Sequence, residues 1–265
     1  MNPETGFARV DGGRLWYEVA GEGAPVVLLH GGLWDSRMWD DQFEALAERC
    51  RAVRYDLRGY GRSDRPAKAY SHSDDLKALL DQLKIERAAL VGLSMGAMVA
   101  VDFTLEHPDR VEALVLAAPG LGGFEWSEDL DRRYEPVEAA LKGGDVERAA
   151  ELELAIWARK SKKEDPRDLR MREIAKENAH QVTLDPAHRR RLDPPAAGRL
   201  GEIKVPTLVI SGDKDLPDVK KIAALLLADI PEARRAVMQG ADHVVNMRRP
   251  ADFTARLLGF LDQVF

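Results

Sequence analysis

Short apolar runs alternate with amphipathic stretches along most of the chain. Val26–His30 opens with consecutive aliphatic residues and Ala88–Leu93 is nearly as apolar, a pattern typical of strands covered on both faces. The runs predicted to be strands are Leu15–Ala20, Val26–His30, Cys50–Tyr55, Ala88–Leu93, Val111–Ala117, Val205–Ser211 and Arg235–Gln239. The stretches predicted to be helices are Trp39–Arg49, Ser73–Leu83, Gly96–Glu106, Val219–Ala228 and Ala251–Val264. This alternation predicts a parallel, doubly wound α/β sheet.

Two regions depart from the alternation. Around Val10–Arg14, the Asp11-Gly12 pair predicts the turn of an antiparallel hairpin. Between residues 122 and 199 the pattern is helical and heavily charged, and Asp-Pro pairs at 165–166 and 185–186 indicate turns or helix starts. We therefore expect a core formed by residues 1–121 and 200–265, interrupted by a helical insertion at residues 122–199.

Charge and composition narrow the class of protein. The 265 residues carry 39 Lys and Arg against 45 Asp and Glu, a net charge of −6 that argues against a nucleic-acid-binding domain. The longest uncharged stretch, Ala88–Val101, is shorter than the roughly 18 residues that a membrane helix needs. Residues 1–10 lack the apolar run of a secretory signal, and Cys50 has no second cysteine to pair with. We expect a cytoplasmic protein that binds neither nucleic acid nor membranes, with Cys50 in its core.

Ser94 lies between two glycines in Gly92-Leu93-Ser94-Met95-Gly96, which fits G-x-S-x-G between a predicted strand and a predicted helix. A sharp turn at this point pushes the hydroxyl out of the sheet, and the glycines allow close backbone approach. The start of the helix also favours a developing oxyanion. A serine that merely caps the helix is the alternative interpretation.

A serine nucleophile needs a base, and six histidines compete for that role. His243 follows the last predicted strand, so it lies at the edge of the sheet where open α/β sheets place their sites. His30 precedes Gly31-Gly32, whose backbone N–H groups suit an oxyanion loop, and we expect His30 itself to be structural. The other four are expected on the surface: His72, His107, His180 and His188.

The acid that orients the base is expected at the C-terminal end of a strand that lies between Ser94 and His243 in the chain, here Val205–Ser211. Asp213 and Asp215 both qualify by position, in Ser211-Gly212-Asp213-Lys214-Asp215. The residue that does not serve is expected in a solvated turn.

Taken together, these motifs resemble the α/β-hydrolase fold family, in its serine hydrolase branch. The matching segments, in chain order, are His30-Gly31-Gly32, Asp56–Ser63, Gly92–Gly96, Gly212–Asp215 and Gly240–His243. The resemblance implies a mostly parallel sheet of about eight strands with a cap at the insertion. It also implies Asp215 as the acid, through the spacing G-x-x-D, and a structural role for Asp56–Ser63.

The resemblance further assigns the oxyanion hole and the reaction class. The backbone N–H groups of Met95 and Gly32 would form the hole, with Leu33 as an alternative to Gly32. A serine at position 94 argues against haloalkane dehalogenases and epoxide hydrolases, which place Asp there. The chain most resembles 3-oxoadipate enol-lactonases and small esterases, which implies an ester or lactone substrate and no cofactor or metal. Carbon–carbon bond hydrolases, cofactor-free haloperoxidases and non-catalytic receptors remain alternatives.

The substrate pocket is the least readable part of the sequence. Residues near the motifs or in the insertion are candidate pocket residues: Leu33, Trp34, Met98, Phe124 and Trp157. Trp126, Tyr134 and Ile156 have helical spacing, which favours a place in the core over the pocket. Arg189–Arg191 are interpreted as a solvated charged run, with a carboxylate-binding role as the alternative.

Overall fold

The computed structural model describes residues 2–160 and 165–265, and these form one sheet with helices on both sides. The strands are β1 (Glu4–Val10), β2 (Gly13–Ala20), β3 (Pro25–Leu29), β4 (Arg51–Tyr55), β5 (Ala88–Leu93), β6 (Val111–Ala117), β7 (Thr207–Gly212) and β8 (Arg234–Met238). The helices are α1 (Asp40–Ala47), α2 (His72–Gln82), α3 (Met95–Glu106), α4 (Glu128–Lys142), α5 (Val146–Trp157), α6 (Pro166–Glu177), α7 (Pro217–Asp229), α8 (Val245–Arg248) and α9 (Pro250–Leu261).

The strand order is β1-β2-β4-β3-β5-β6-β7-β8. The pairs β1·β2 and β2·β4 are antiparallel, and all the other pairs are parallel. Val10 pairs with Gly13 around the predicted Asp11-Gly12 turn. The sheet therefore confirms the predicted fold class, with one edge closed by an antiparallel hairpin.

Two hydrophobic layers cover the sheet, one on each face. In β3, Val26 and Leu28 pack into one layer while Val27 and Leu29 pack into the other. Successive side chains of a strand point to opposite faces, so a strand covered on both faces is apolar at every position. This double burial explains the uninterrupted apolar runs in the sequence, and Cys50 is buried as expected.

The segment between β6 and β7 carries α4, α5, α6 and several short 3-10 turns. Its helices start at polar caps: Ser127, Asp145 and Asp165 each accept a hydrogen bond from a backbone N–H group in the first turn that follows. Asp165-Pro166 begins α6, as one of the two interpretations of that pair predicted. We call this segment the insert and retain residues 122–199 as its proposed bounds.

Polar contacts attach the insert to the core at separate points. Asp242 Oδ2 accepts a hydrogen bond from the Arg159 N–H at 2.8 Å, and Asn178 Nδ2 donates to Asp35 Oδ2 at 2.7 Å. The insert therefore lies against the loops at the carboxyl ends of the strands. Across the described residues, no helix combines the length and apolar character of a membrane span.

Candidate active site

Ser94 occupies a strained turn between β5 and α3. Its φ of 55° and ψ of −111° lie outside the regions that L-residues favour. A Cβ at Gly92 would overlap the backbone of Gly96, and a Cβ at Gly96 would overlap the backbone carbonyl of Leu29. Both glycines are therefore required for the tight packing of β5, α3 and β3 that produces this turn.

The backbone of Ser94 is held on both sides. Its N–H donates to the Ala117 carbonyl at 2.9 Å, and its carbonyl accepts from Met98 N–H at 3.1 Å and from Gly120 N–H at 3.0 Å. The side chain borders a cavity of about 950 Å³. These hydrogen bonds fix the backbone position from which the Ser94 hydroxyl reaches the cavity.

Asp215 and His243 form a buried pair. His243 Nδ1 lies 3.2 Å from both carboxylate oxygens of Asp215, and the Asp215 side chain is fully shielded from solvent. Leu216 N–H also donates to Asp215 Oδ1, at 2.7 Å. A carboxylate facing Nδ1 makes Nδ1 the donor and leaves Nε2 able to accept a proton.

Asp213, the other acid considered from the sequence, faces away from His243. Its Oδ1 accepts the Gly240 N–H at 2.6 Å, and its Oδ2 lies 3.3 Å from Lys214 Nζ. These contacts connect two loops at the sheet edge and leave Asp213 partly exposed. The geometry therefore favours Asp215 as the partner of His243.

Ser94 and His243 line the same cavity although they are distant in sequence. Among the described residues, Ser94 Oγ makes no hydrogen bond to the His243 ring. Catalytic hydrogen bonds are often long without substrate and tighten in the complex. The structure thus brings Ser94 and the Asp215–His243 pair to one cavity. A hydrogen bond between Ser94 and His243 would complete the predicted set of three residues.

The two loops proposed to form an oxyanion hole also border this cavity. Gly32, Leu33 and Met95 all line it, and Leu33 has a φ of 70°. Met95 is the first residue of α3, where backbone N–H groups have no acceptor within the helix. The positions of Gly32 and Met95 are compatible with the predicted role of their N–H groups.

His30 is structural in its contacts, as expected. Its Nδ1 lies 2.8 Å from the Gly31 carbonyl, and its Nε2 accepts the Leu57 N–H at 2.9 Å. These partners define a neutral ring that is protonated at Nδ1. Burial lowers the pKa of His30, which favours the same neutral form. Both ring nitrogens are occupied, so His30 is unsuited to act as the base.

The Asp56–Ser63 loop is tied to the core by its polar side chains. Ser63 Oγ donates to the Asp56 carbonyl at 2.5 Å and accepts the Trp16 N–H at 2.9 Å. Arg58 forms a buried two-point ion pair with Asp75. Ser63 is thus engaged in structural bonds and is no rival to Ser94.

All five candidate pocket residues line the cavity: Leu33, Trp34, Met98, Phe124 and Trp157. Trp34 is held by a hydrogen bond from Nε1 to the Met171 carbonyl at 3.1 Å. The Trp157 ring lies 4.5 Å from the His243 ring, centroid to centroid. Trp126 and Tyr134 also line the cavity, so for these two the expectation of a purely core position is wrong.

Two other expectations need correction. His72 was expected on the surface, but it is buried at the start of α2, and its Nδ1 has no hydrogen-bond partner among the described residues. It packs edge-on against the Tyr70 ring. Arg189–Arg191 were interpreted as a solvated run; Arg190 and Arg191 are exposed as expected, but Arg189 is half-buried, and all three border the cavity. The chain folds back here, since Tyr70 pairs with Arg189.

Several polar residues of the cavity were not singled out from the sequence, among them Asp102, Glu153 and Gln181. Asp102 lies on the face of α3 that also carries Met95 and Met98. Glu153 and Gln181 come from the insert. Nothing marks them in the sequence except, for Asp102, its helical spacing from Ser94.

A second cavity, of about 510 Å³, lies apart from Ser94 and His243. It is lined by charged side chains that pair with one another: Arg54 bridges Glu18 and Asp40, and Arg37 bridges Asp35 and Glu177. Its charges are compensated, and the larger cavity is therefore the candidate active site.

The family follows from the fold, this site and the comparison with known proteins. Residues 24–250 match the family model of the alpha/beta hydrolase fold, and the chain belongs to that family. It is 30% identical to 2-hydroxy-6-oxononadienedioate/2-hydroxy-6-oxononatrienedioate hydrolase 2 of Pseudomonas putida, over 96% of this chain and 95% of that protein.

Two solved structures have a similar fold along their whole length. Est816, described as an N-acyl homoserine lactone degrading enzyme, is 32% identical with a TM-score of 0.77, covering 96% of this chain and all (100%) of that one. The enol-lactonase of Burkholderia xenovorans is 28% identical with a TM-score of 0.80, covering 97% of this chain and 100% of that one. Relatives of this fold thus include proteins named for lactones and for a 2-hydroxy-6-oxo dienedioate.

Proposed function

We propose that the protein is a serine hydrolase that opens a small carboxylic ester or lactone through an acyl-enzyme intermediate. The observation that carries this proposal is the buried contact of His243 Nδ1 with both oxygens of Asp215, at 3.2 Å, beside the cavity that Ser94 borders. The lactone class is supported by the two similar structures named for lactones.

In the first step, Ser94 Oγ attacks the substrate carbonyl carbon while His243 Nε2 takes the hydroxyl proton. Asp215 stabilises the imidazolium that forms and keeps the ring oriented. The carbonyl oxygen becomes an oxyanion, which the N–H groups of Met95 and Gly32 stabilise; each such donor is worth about 3 kcal/mol. The oxyanion then collapses, and the alkoxide leaves with the proton held by His243.

In the second step, water attacks the acyl-enzyme while His243 takes one of its protons. Collapse of the second tetrahedral intermediate releases the carboxylic acid and returns the proton to Ser94 Oγ. For a lactone, the alcohol and the acid remain in one product, a hydroxy acid. The scheme uses only side chains and backbone of this chain and requires no metal or organic cofactor.

The test is Ser94→Ala, assayed with chromogenic esters and a panel of γ- and δ-lactones. We expect turnover to fall on the order of a millionfold, as it does when serine hydrolases lose their nucleophile. A fluorophosphonate probe should lose fluoride and add one phosphonyl group to the wild-type chain at Ser94. Hydrolysis at a near wild-type rate by Ser94→Ala, or labelling at another residue, would overturn the assignment.

A further inference from the structure

Part of the cavity is lined by a chain of hydrogen-bonded side chains, which we call the roof network: Tyr60, Tyr134, Glu153, Trp157 and Gln181. Trp157 Nε1 donates to Tyr134 Oη at 2.8 Å, and Tyr134 Oη donates to Glu153 Oε1 at 3.0 Å. Gln181 Nε2 donates to Glu153 Oε2 at 3.0 Å, and Tyr60 Oη donates to Gln181 Oε1 at 3.3 Å. Glu153 is therefore the acceptor on which the network converges.

Glu153 is a half-buried carboxylate that accepts hydrogen bonds from two neutral side chains, Tyr134 and Gln181. The groups that perturb it are Tyr134 and Gln181, and no cation acts on it among the described residues. Burial raises the pKa of Glu153 because the charged form has lost its water. A carboxylate that is shielded from water and has no neighbouring cation is costly in free energy. A further hydrogen-bond donor, such as one on a ligand, reduces this cost.

The roof network contacts the reaction centre at both of its ends. The Trp157 ring lies 4.5 Å from the His243 ring, and Tyr60 Oη lies 3.6 Å from the sulfur of Met95, the residue after Ser94. Glu153 itself lines the cavity between these ends. A substrate whose carbonyl faces Ser94 therefore shares one cavity with the Glu153 carboxylate.

The roof network has more unused hydrogen-bond acceptors than unused donors. The Trp157 N–H and the Tyr134 hydroxyl have each spent their one hydrogen within the network. An ionised carboxylate offers about four acceptor positions, and the two donors to Glu153 fill about half of them. The roof therefore offers acceptors to a ligand and has few donors left for an anion.

We propose that Glu153 determines the substrate specificity of this cavity by accepting a hydrogen bond from an N–H or O–H group borne within a few bonds of the reacting carbonyl. The same carboxylate disfavours acyl groups that carry a second carboxylate at that place. The proposal rests on the proposed function, because it places the reacting carbonyl at Ser94. It assigns Glu153 to binding and not to the chemical step.

The test compares α-hydroxy-γ-butyrolactone with α-methoxy-γ-butyrolactone, in which a methyl group replaces the hydrogen of the donor; the Glu153→Gln variant separates the loss of the donor from the added size, because the methyl group is present in both proteins. We expect the wild-type protein to favour the hydroxy lactone in kcat/KM by about tenfold to a hundredfold, the range for a hydrogen bond to a charged group. Glu153→Gln should bring the ratio close to one, mainly by losing kcat/KM for the hydroxy lactone. α-Amino-γ-butyrolactone, assayed below and above the pKa of its amine, shows whether a cationic donor is preferred to a neutral one.

Glu151→Gln is the matched control. Glu151 lies on the same helix with its side chain exposed and pairs with Arg148 on the surface, so the ratio should stay at its wild-type value. Melting temperatures of both variants exclude a folding defect as the cause. A wild-type ratio near one, or a ratio that Glu153→Gln leaves unchanged, would overturn the role of Glu153.

Failure of the proposed function gives a different result. In that case the wild-type protein opens neither lactone, but calorimetric titration of both lactones into the wild-type and Glu153→Gln chains still measures the donor preference as a ratio of Kd values. A preference for the hydroxy lactone that Glu153→Gln removes supports the role of Glu153 in binding alone. Equal Kd values in the wild-type chain would contradict it.

Discussion

The floor and the roof of the cavity are built in different ways. The floor consists of Ser94, Asp215 and His243, which lie on loops at the ends of strands; backbone hydrogen bonds hold Ser94 and Asp215, and the Asp215 carboxylate faces the His243 ring. The roof network is fixed mainly by side chains bonded to one another. In the proposed function, the chemistry therefore depends on the sheet, while the polarity of the binding space depends largely on side chains of the insert.

This difference has a physical basis. A hydrogen-bonded sheet holds the ends of its strands in register, so side chains on neighbouring loops keep their distances. Helices of an insert are held by packing and by a few polar contacts, and their side chains can be exchanged without disturbing the sheet. We therefore expect substitutions in the floor to abolish turnover and those in the roof to redistribute it among substrates.

The largest expected effect after loss of Ser94 is in Asp215→Asn. The amide removes the charge that stabilises the His243 imidazolium and favours the wrong ring tautomer, so kcat should fall about ten-thousandfold. Asp213→Asn is the matched control, because Asp213 bonds Gly240 and does not contact His243. Steady-state kinetics on one ester checks both variants. If Asp213→Asn were the more damaging change, the assignment of the acid would be reversed.

Asp102 lines the cavity, and we expect its protonation to change the free energy of unfolding. Burial, with a smaller contribution from Glu106, raises the pKa of Asp102 to about 7, and its Oδ1 has no hydrogen-bond partner among the described residues. The folded protein thus keeps a proton that the unfolded chain releases above about pH 4. Stability consequently falls as the pH rises from about 4 to 7, and the loss then levels off.

Asp102→Asn, which stays neutral, should remove this dependence. We expect the variant to exceed the wild type in free energy of unfolding by about 1–3 kcal/mol at pH 8 and to match it near pH 4. Urea unfolding at both pH values measures the difference. Asp109→Asn, on the exposed turn after α3, should show no comparable change with pH. A gain of the same size at both pH values would refute the proposed titration.

The smallest expected effect is in Trp157→Phe, which leaves an aromatic ring against His243 but removes the hydrogen bond to Tyr134. One neutral hydrogen bond is worth about 1 kcal/mol, so kcat/KM should change roughly fivefold. We expect the change to differ between the hydroxy and methoxy lactones, since Tyr134 also donates to Glu153. Rates for both lactones check this. A uniform loss on the scale of Asp215→Asn would place Trp157 with the floor.

The fold and the sharp turn at Ser94 were predictable from the sequence because both are encoded locally. Apolar runs identify strands covered on both faces. Gly92 and Gly96 are required because a Cβ at either position would overlap the backbone of a neighbouring segment. The placement of Asp215 beside His243 needed the family resemblance, because Asp213 satisfies the same position in the chain. The catalytic roles of these residues, and the bounds of the insert as a cap, stay predictions.

The roof network was not predicted because its residues are distant in sequence and are brought together only by the packing of the insert. Glu153 and Gln181 are 28 residues apart, and nothing in the local pattern separates Glu153 from the exposed Glu151 two positions earlier. His72 was placed wrongly for a related reason. A polar Ser-His-Ser run is typical of an exposed helix start, yet the chain near Arg189 returns to cover it.

The close approach of Gly96 to Leu29 has a consequence for engineering. The helix that starts after Ser94 abuts the end of β3, which leads directly into the His30-Gly31-Gly32 loop. The Ser94 turn and the His30-Gly31-Gly32 loop are thereby a single unit that cannot be redesigned in parts. A design that moves this serine to another protein must therefore include β3 and the loop that follows it. An insert from another protein needs only to fit the loops at the carboxyl ends of the strands.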